Sequence, residues 1–105
     1  MKTPITHRPF EQVYTLVRNI PRGKVTTYGA IGKKLGMSPR VVGYILHLNP
    51  DGAKIPCHRV VNINGRVAPR YAFGGHDEQK RRLEQEGIEF IDEQHLDLKK
   101  YLWRI

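Results

Sequence analysis

The chain has one cysteine, Cys57, in the stretch IPCHRVV between Pro56 and His58. An ordinary thiol titrates near pH ~8.5, so only a few per cent is thiolate at neutral pH and a nucleophilic role needs help. The neighbours are of the types that give it. Pro56 stiffens the approach, His58 is a base one residue away, Arg59 adds positive charge, and Glu86 is available from a later helix to fix the imidazole tautomer. A free cysteine serves equally well as a small buried apolar residue, and spacing alone does not bring Cys57, His58 and Glu86 together. A single cysteine excludes an internal disulfide, and the five histidines are scattered without the short ligand spacings of a zinc site. No metal and no cofactor are expected.

Phe10, Val13, Tyr14 and Val17 recur at helical spacing, so the chain should begin with an amphipathic helix that stops at Pro21 and Gly23. A brief extended segment, VTT, leads into a second helix from Tyr28 to Leu35, broken by Gly36. Ser38 and Pro39 then read as an N-cap and first-turn proline for a third helix reaching about Leu48. Two short helices joined this tightly predict a helix-turn-helix. On the third helix Val41, Val42, Ile45, Leu46 and Leu48 form the expected core face. The opposite face carries Arg40, Gly43, Tyr44 and His47, either a DNA-reading stripe or an ordinary solvated face. HRVVNINGRVAP predicts a hairpin turning at Asn64-Gly65, usable as a wing. A fourth helix from about Asp77 to Glu86 follows Gly74-Gly75, IEFI reads as an extended edge, and the tail LDLKKYLWRI should dock through Tyr101, Leu102 and Trp103. The expected fold is mainly α with a small β-hairpin, a winged-helix-like domain containing a helix-turn-helix. At 105 residues it should be one domain spanning 1–105.

The charge is regional. Residues 1–70 hold 12 Lys and Arg against Glu11 and Asp51, net +10, whereas residues 71–105 hold 6 against 8 acidic residues, net −2. Such a bias suits a phosphate backbone through counterion release, although it also serves solubility. MKTPITHRPF lacks the apolar core of a leader, and no run approaches membrane-spanning length, so a cytoplasmic, nucleoid-associated monomer is expected.

With IPCHRVV, the stretches GKVTTYGAIGKKLG, SPRVVGYILHLNP, GG and RLEQEG give a chain that resembles the O6-alkylguanine-DNA alkyltransferases in their carboxy-terminal, DNA-binding and catalytic domain, from about Phe10 to Gly87. The resemblance implies that Cys57 accepts an alkyl group from guanine O6 in a single irreversible turnover. His58 would act as base through water, with Glu86, eleven residues after Gly75, as its partner. Arg40, seventeen residues before Cys57, would fill the gap left by a flipped nucleotide. Tyr28 would help rotate that nucleotide, Asn49 would brace the active-site segment, and the Val60 carbonyl would help read the guanine amine. Lys33, Lys34, Ser38, Gly43, Tyr44 and His47 are the other expected DNA contacts, in the minor groove of a duplex. Pro56, Tyr71, Ala72 and Phe73 complete the expected substrate pocket. Extruding a base costs a few kcal/mol, which the phosphate contacts must offset.

The chain departs from the family pattern where YAFGG replaces the usual Tyr-Ser before the paired glycines and where Gln79 replaces a frequent Lys. The family's larger members also carry an amino-terminal domain, whereas only about nine residues precede the first helix here. These features, with the tail, also resemble the alkyltransferase-like proteins, which bind alkylated DNA without repairing it and hand it to excision-repair proteins. In those the cysteine is commonly replaced, and here it is kept. A suicide alkyltransferase is therefore weighed ahead of a damage sensor, and both ahead of a winged-helix transcription factor with Cys57 in its core.

Overall fold

A computed structural model describes residues 7–105. The amino-terminal residues 1–6, read above as part of a segment without a leader, lie outside the described residues. Helix α1 (His7–Arg18) buries Val13 and Val17 completely and half-buries Phe10 and Tyr14, the stripe expected from their spacing. The Tyr14 hydroxyl donates to the Ile45 carbonyl at 2.8 Å and so pins α1 across the third helix. Strand β1 (Thr26–Thr27) runs directly into α2 (Tyr28–Leu35), whose N-cap is Thr27, its Oγ1 accepting from the Ala30 N–H at 3.0 Å.

Helix α2 ends at Gly36, which takes the left-handed conformation (φ 75°) that a side chain resists. Gly32 is needed for a different reason. A Cβ there would collide with the Met37 carbonyl oxygen, so only glycine lets the turn fold back this tightly. Helix α3 (Pro39–His47) follows at once, with the Ser38 Oγ accepting from the Val41 N–H at 3.2 Å and Pro39 in the first turn. Val42, Ile45 and Leu46 are buried, but Val41 and Leu48 are 42% and 47% exposed rather than core. At 100° per residue these two lie beyond the edge of the arc spanned by the other three, and a helix of a small domain buries a stripe of only about that width.

The two-stranded sheet is not a hairpin. Strand β2 (Val60–Val61) pairs in parallel with β1, in the register Thr26 to Val60 and Thr27 to Val61. The expected Asn64-Gly65 turn does form, with the Gly65 N–H donating to Asn62 and the Asn62 N–H to Arg66, each at 2.9 Å. The return segment then bonds to the carboxy-terminal loop instead: the Val67 N–H donates to Gln94, the Leu96 N–H donates to Gly65, and Arg66 bridges His95. The physical reason lies in burial. Val60 and Val61 are both fully buried, and adjacent strand residues point to opposite faces, so β2 separates two cores. Val60 belongs to the cluster of α1, α2 and α3. Val61 belongs to a second one with Val25, Val67, Leu83, Ile88, Leu96 and Tyr101. An open wing would leave one of those faces in water.

Helix α4 (Gly75–Gln85) starts at the paired glycines, two residues earlier than expected. IEFI is no strand: Phe90 makes an isolated bridge to Leu96, and the Ile91 N–H closes a turn onto His95 at 2.8 Å. The tail docks through a four-residue helix, α5 (Leu98–Tyr101), after which the Trp103 N–H donates to Val25 at 2.7 Å. No helix among the described residues is long and apolar enough to cross a membrane.

Candidate active site and nucleic-acid interface

The cysteine segment is shaped first by Pro56. Its φ of −77° and ψ of 67° make an inverse γ-turn, closed by the Cys57 N–H on the Ile55 carbonyl at 2.7 Å. Proline has its φ fixed near this value already, so the turn costs little chain entropy. A single turn of 3-10 helix, Cys57–Arg59, follows and delivers the chain into β2. Buried Asn49 braces the segment from the end of α3: its Nδ2 donates to the Ile55 carbonyl at 2.8 Å while its Oδ1 accepts from the Asp51 N–H at 2.9 Å.

His58 and Glu86 meet. Nε2 of His58 lies 2.7 Å from Oε2 of Glu86, with both side chains nearly buried. The carboxylate is also held by the Gly23 N–H at 2.9 Å and by the Arg59 guanidinium, whose Nη2 approaches to 2.9 Å and whose Nη1 donates to the Ile20 carbonyl at 2.8 Å. Burial opposes ionisation of Glu86, but the hydrogen bonds from Arg59, Gly23 and His58 outweigh it and hold the carboxyl at about 2. An ionised Glu86 fixes the proton on Nε2, which makes Nδ1 the free acceptor of a neutral imidazole. Nδ1 is buried with no hydrogen-bond partner among the described residues. Burial pushes the imidazole below its ordinary value, against the pull of Glu86, so His58 is neutral at pH 7 with its lone pair on Nδ1.

Cys57 is buried, and that burial pushes the thiol up, against the Asn49 amide, its own backbone N–H and the charge of Arg82. Arg59, credited above with supplying positive charge to the thiol, is spent on Glu86 instead. The cation whose charge favours ionisation of Cys57 is Arg82 on α4, which the sequence reading passed over. Its Nη1 donates to the Tyr71 hydroxyl at 2.8 Å, it lies over the Tyr71 and Phe73 rings, and Glu78 holds its other edge at 2.9 Å.

Cys57 opens onto a cavity of about 650 Å³ between α3 and the segment 68–72. Of the expected residues, Tyr28, Arg40, Gly43, Tyr44, His47, Tyr71 and Ala72 line it. Pro39, Asn62, Ala68, Pro69 and Arg70 line it as well, and they were not anticipated. Lys33, Lys34 and Ser38 are exposed outside it, on the last turn of α2 and the cap of α3. Asn49 and Val60, also expected in the pocket, do not line it: Asn49 is buried on the Ile55 carbonyl and Val60 lies in the core. Pro56 and Phe73, expected in the same pocket, line a separate cleft on the other side of the cysteine turn, because the γ-turn faces the proline away from the thiol and Phe73 packs under Arg82. Burial, and next the nearby Cys57, pushes the Tyr28 hydroxyl up to about 12, so it stays a donor. A methyl group added at Gly43 would meet only the Tyr28 ring edge at 4.0 Å. Nothing inside the chain therefore requires glycine at this point of the cavity wall.

Gln79, noted only as a departure, is fully buried. Its Oε1 accepts from the Ala68 N–H at 2.6 Å, and its Nε2 donates to the His58 and Val60 carbonyls at 3.1 and 2.8 Å. It thus ties α4 to both walls of the site. The signal was present as a polar residue four positions before Leu83, on the side of α4 that faces the core. Among the described residues no group of three or more His, Cys, Asp or Glu is placed to hold a metal.

Comparison with known proteins shows the family to which the chain belongs. The alkyltransferase-like protein 1 of Schizosaccharomyces pombe is 40% identical over 102 residues, covering 90% of this chain and 94% of that protein. A crystal structure of the S. pombe protein Atl1 with damaged DNA containing O6-carboxymethylguanine superposes with a TM-score of 0.82 at 37% identity, over the full length of both chains. The methylated-DNA–protein-cysteine methyltransferase of Thermococcus kodakarensis is 45% identical over 82 residues, which cover 76% of this chain and 45% of that enzyme. The sequence profile described as "6-O-methylguanine DNA methyltransferase, DNA binding domain" matches residues 8–88, so the chain belongs to the 6-O-methylguanine DNA methyltransferase family through its DNA-binding domain.

Proposed function

We propose that this protein binds alkylated duplex DNA through α2 and α3, turns the damaged nucleotide out into the cavity beneath α3, and transfers its alkyl group to Cys57. The observation that carries the reading is the cavity itself, in which the thiol shares a wall with Arg40, Gly43 and Tyr28. Exposed Lys33 and Lys34 hold phosphates, and Arg40 takes the place of the extruded nucleotide, since its planar head both stacks and donates. In the transfer, Sγ attacks the alkyl carbon as the carbon–O6 bond breaks. The thiol proton passes through a water to Nδ1 of His58, and the electron pair of the broken bond stays with the purine. His58 then gives that proton up through water to the purine, so the net exchange is the alkyl group for the thiol proton and His58 ends neutral. A neutral thiol at rest and a neutral histidine beside it are the protonation states that this exchange needs. The alkyl group remains on sulfur, so each chain turns over once.

A second reading has its own support. The thiol is buried and pushed up rather than activated, and the likeness to the alkyltransferase-like protein runs over nearly the whole of both chains. In that reading the protein recognises the lesion, leaves it intact and marks it for excision-repair proteins. The deciding experiment is a mass spectrum after incubation with excess duplex containing O6-methylguanine, with the modified peptide mapped. A gain of one methylene on the Cys57 peptide, absent in Cys57→Ala, supports transfer. An unmodified protein that still binds the lesion more tightly than guanine overturns transfer and leaves the sensor.

A further inference from the structure

On the other side of the Cys57–Arg59 turn lies a second concavity of about 640 Å³, sharing no residue with the first. Its walls are the end of α1 with the turn after it, the loop at residues 52–54, and the last turns of α4. Arg18, Arg22, Lys54, Arg59, Arg81 and Arg82 line it, against Glu86 as the single lining carboxylate. Glu86 is consumed by His58 and Arg59, and Glu78 offsets Arg81 and Arg82. Arg18, Arg22 and Lys54 have no carboxylate partner among the described residues; Arg22 is steadied by donating to the Gln85 carbonyl at 2.9 Å. The front cavity, by contrast, is lined by only two full cations, Arg40 and Arg70. Positive charge is thus more concentrated behind the thiol than in front of it. The sequence hides this, because two of the arginines come from the net-acidic carboxy-terminal third.

We propose that this rear cleft is a second nucleic-acid site, which takes the backbone phosphates of another duplex segment while the front cavity holds the first. Guanidinium groups on separate elements match a row of phosphates, which carry charge at regular intervals and reward each cation through counterion release. A protein partner is the poorer fit. Docking sites for proteins are built around exposed apolar or aromatic anchors, and none of the exposed large apolar residues, Val41, Tyr44, Leu48, Ile63, Ile91 and Ile105, lines this cleft. One chain would then bridge two duplexes, and the bridging rests on the reading of the front face given above.

The test uses the full chain and the variant Arg18→Gln/Arg22→Gln/Lys54→Gln, whose altered side chains are all exposed. Protein is loaded on a bead-tethered duplex carrying O6-methylguanine, and capture of a labelled undamaged duplex from solution is measured. Wild type should capture it, and the variant should load equally on the tethered duplex yet capture roughly tenfold less or worse. Equal capture by the variant would overturn the proposal, as would capture that tracks a change from dimer to monomer in light scattering. If wild type fails to load on the lesion, it is the front-face reading that falls. The rear cleft is then decided by titrating both proteins with undamaged duplex across salt. The slope of log affinity against log salt should be shallower in the variant by about 2.7, and an unchanged slope overturns the cleft. Polyglutamate that displaces the second duplex at a lower charge concentration than unlabelled duplex does would reassign the cleft to an acidic protein segment, overturning the nucleic-acid proposal. The variant Arg18→Gln/Lys54→Gln, which leaves the Arg22 contact in place, serves if the triple variant melts early.

Discussion

The two sides of the Cys57–Arg59 turn are built on opposite electrostatic plans. Toward the front, Cys57, Tyr28 and Tyr71 are all held in their neutral forms, chiefly by burial. Toward the rear, His58, Arg59, Glu86 and the Gly23 N–H form a compact network around an ionised carboxylate. The difference teaches that a buried thiol need not be made acidic in order to have a base available. The front keeps the sulfur protonated, while the rear fixes the tautomer of the neighbouring imidazole, which under the proposed transfer would take the thiol proton. Three consecutive residues in a single turn of 3-10 helix suffice to address both sides, since successive side chains of such a turn point about 120° apart.

The sharpest way to break that division is Glu86→Ala. It leaves Arg59 and His58 without their common partner in a nearly closed site, and removing one side of a buried ion pair costs about 3–5 kcal/mol. Urea unfolding should show that loss, and any transfer to Cys57 should fall with it. The same group sets the acid limit. With the Glu86 carboxyl held at about 2 rather than 4.5, the unfolded chain takes up a proton in that interval that the folded chain refuses. Its contribution is complete above pH 4.5 and is lost as pH falls toward 2. His58 acts in the same direction from higher pH, because its folded value lies below 6.5 and stability starts to fall as pH drops through 6.5. Thermal melts between pH 7 and pH 3 should therefore decline steadily, and Glu86→Ala should flatten the lower part of the curve.

Gln79→Leu sharpens the comparison next, since Gln79 joins both plans through three hydrogen bonds. Leucine fills similar volume but leaves the Ala68 N–H and the His58 and Val60 carbonyls unpaired, at a cost of about 2–3 kcal/mol in urea unfolding. The smallest effect separates folding from binding on the front wall alone. Gly43→Ala should stabilise the chain by about 0.5–1 kcal/mol, because alanine favours a helix interior and its methyl has room. The same methyl should weaken duplex binding roughly tenfold, on the order of 1.4 kcal/mol, in a fluorescence titration. A stabilised variant with undiminished binding would remove Gly43 from the interface.

What was legible in the sequence was local. The α1 stripe, the helix from Tyr28 to the break at Gly36, the Ser38-capped helix from Pro39 and the tight turn between them rest on spacing, the Ser38 cap, Pro39 and Gly36 within a few residues, and those signals act whatever surrounds them. The motif around Cys57 pointed to the family for the same reason. The wing was not legible, since Asn64-Gly65 specifies a turn but not the partner of the strand after it, and the carboxy-terminal loop competed successfully for those hydrogen bonds.

By itself, then, the sequence determined the helix-turn-helix, the restricted φ at Pro56 and the adjacency of the thiol and an imidazole. Tertiary structure alone decided the destination of each charge. Arg59 went to Glu86, Arg82 to the Tyr71 hydroxyl and Glu78, Gln79 spanned the two walls, and arginines from α1 and α4 gathered behind the site. Charged and amide side chains are long, and many partners suit them equally in composition. Only the packing of α4 against the cysteine turn fixes which partner lies within reach and how little water remains to compete with it.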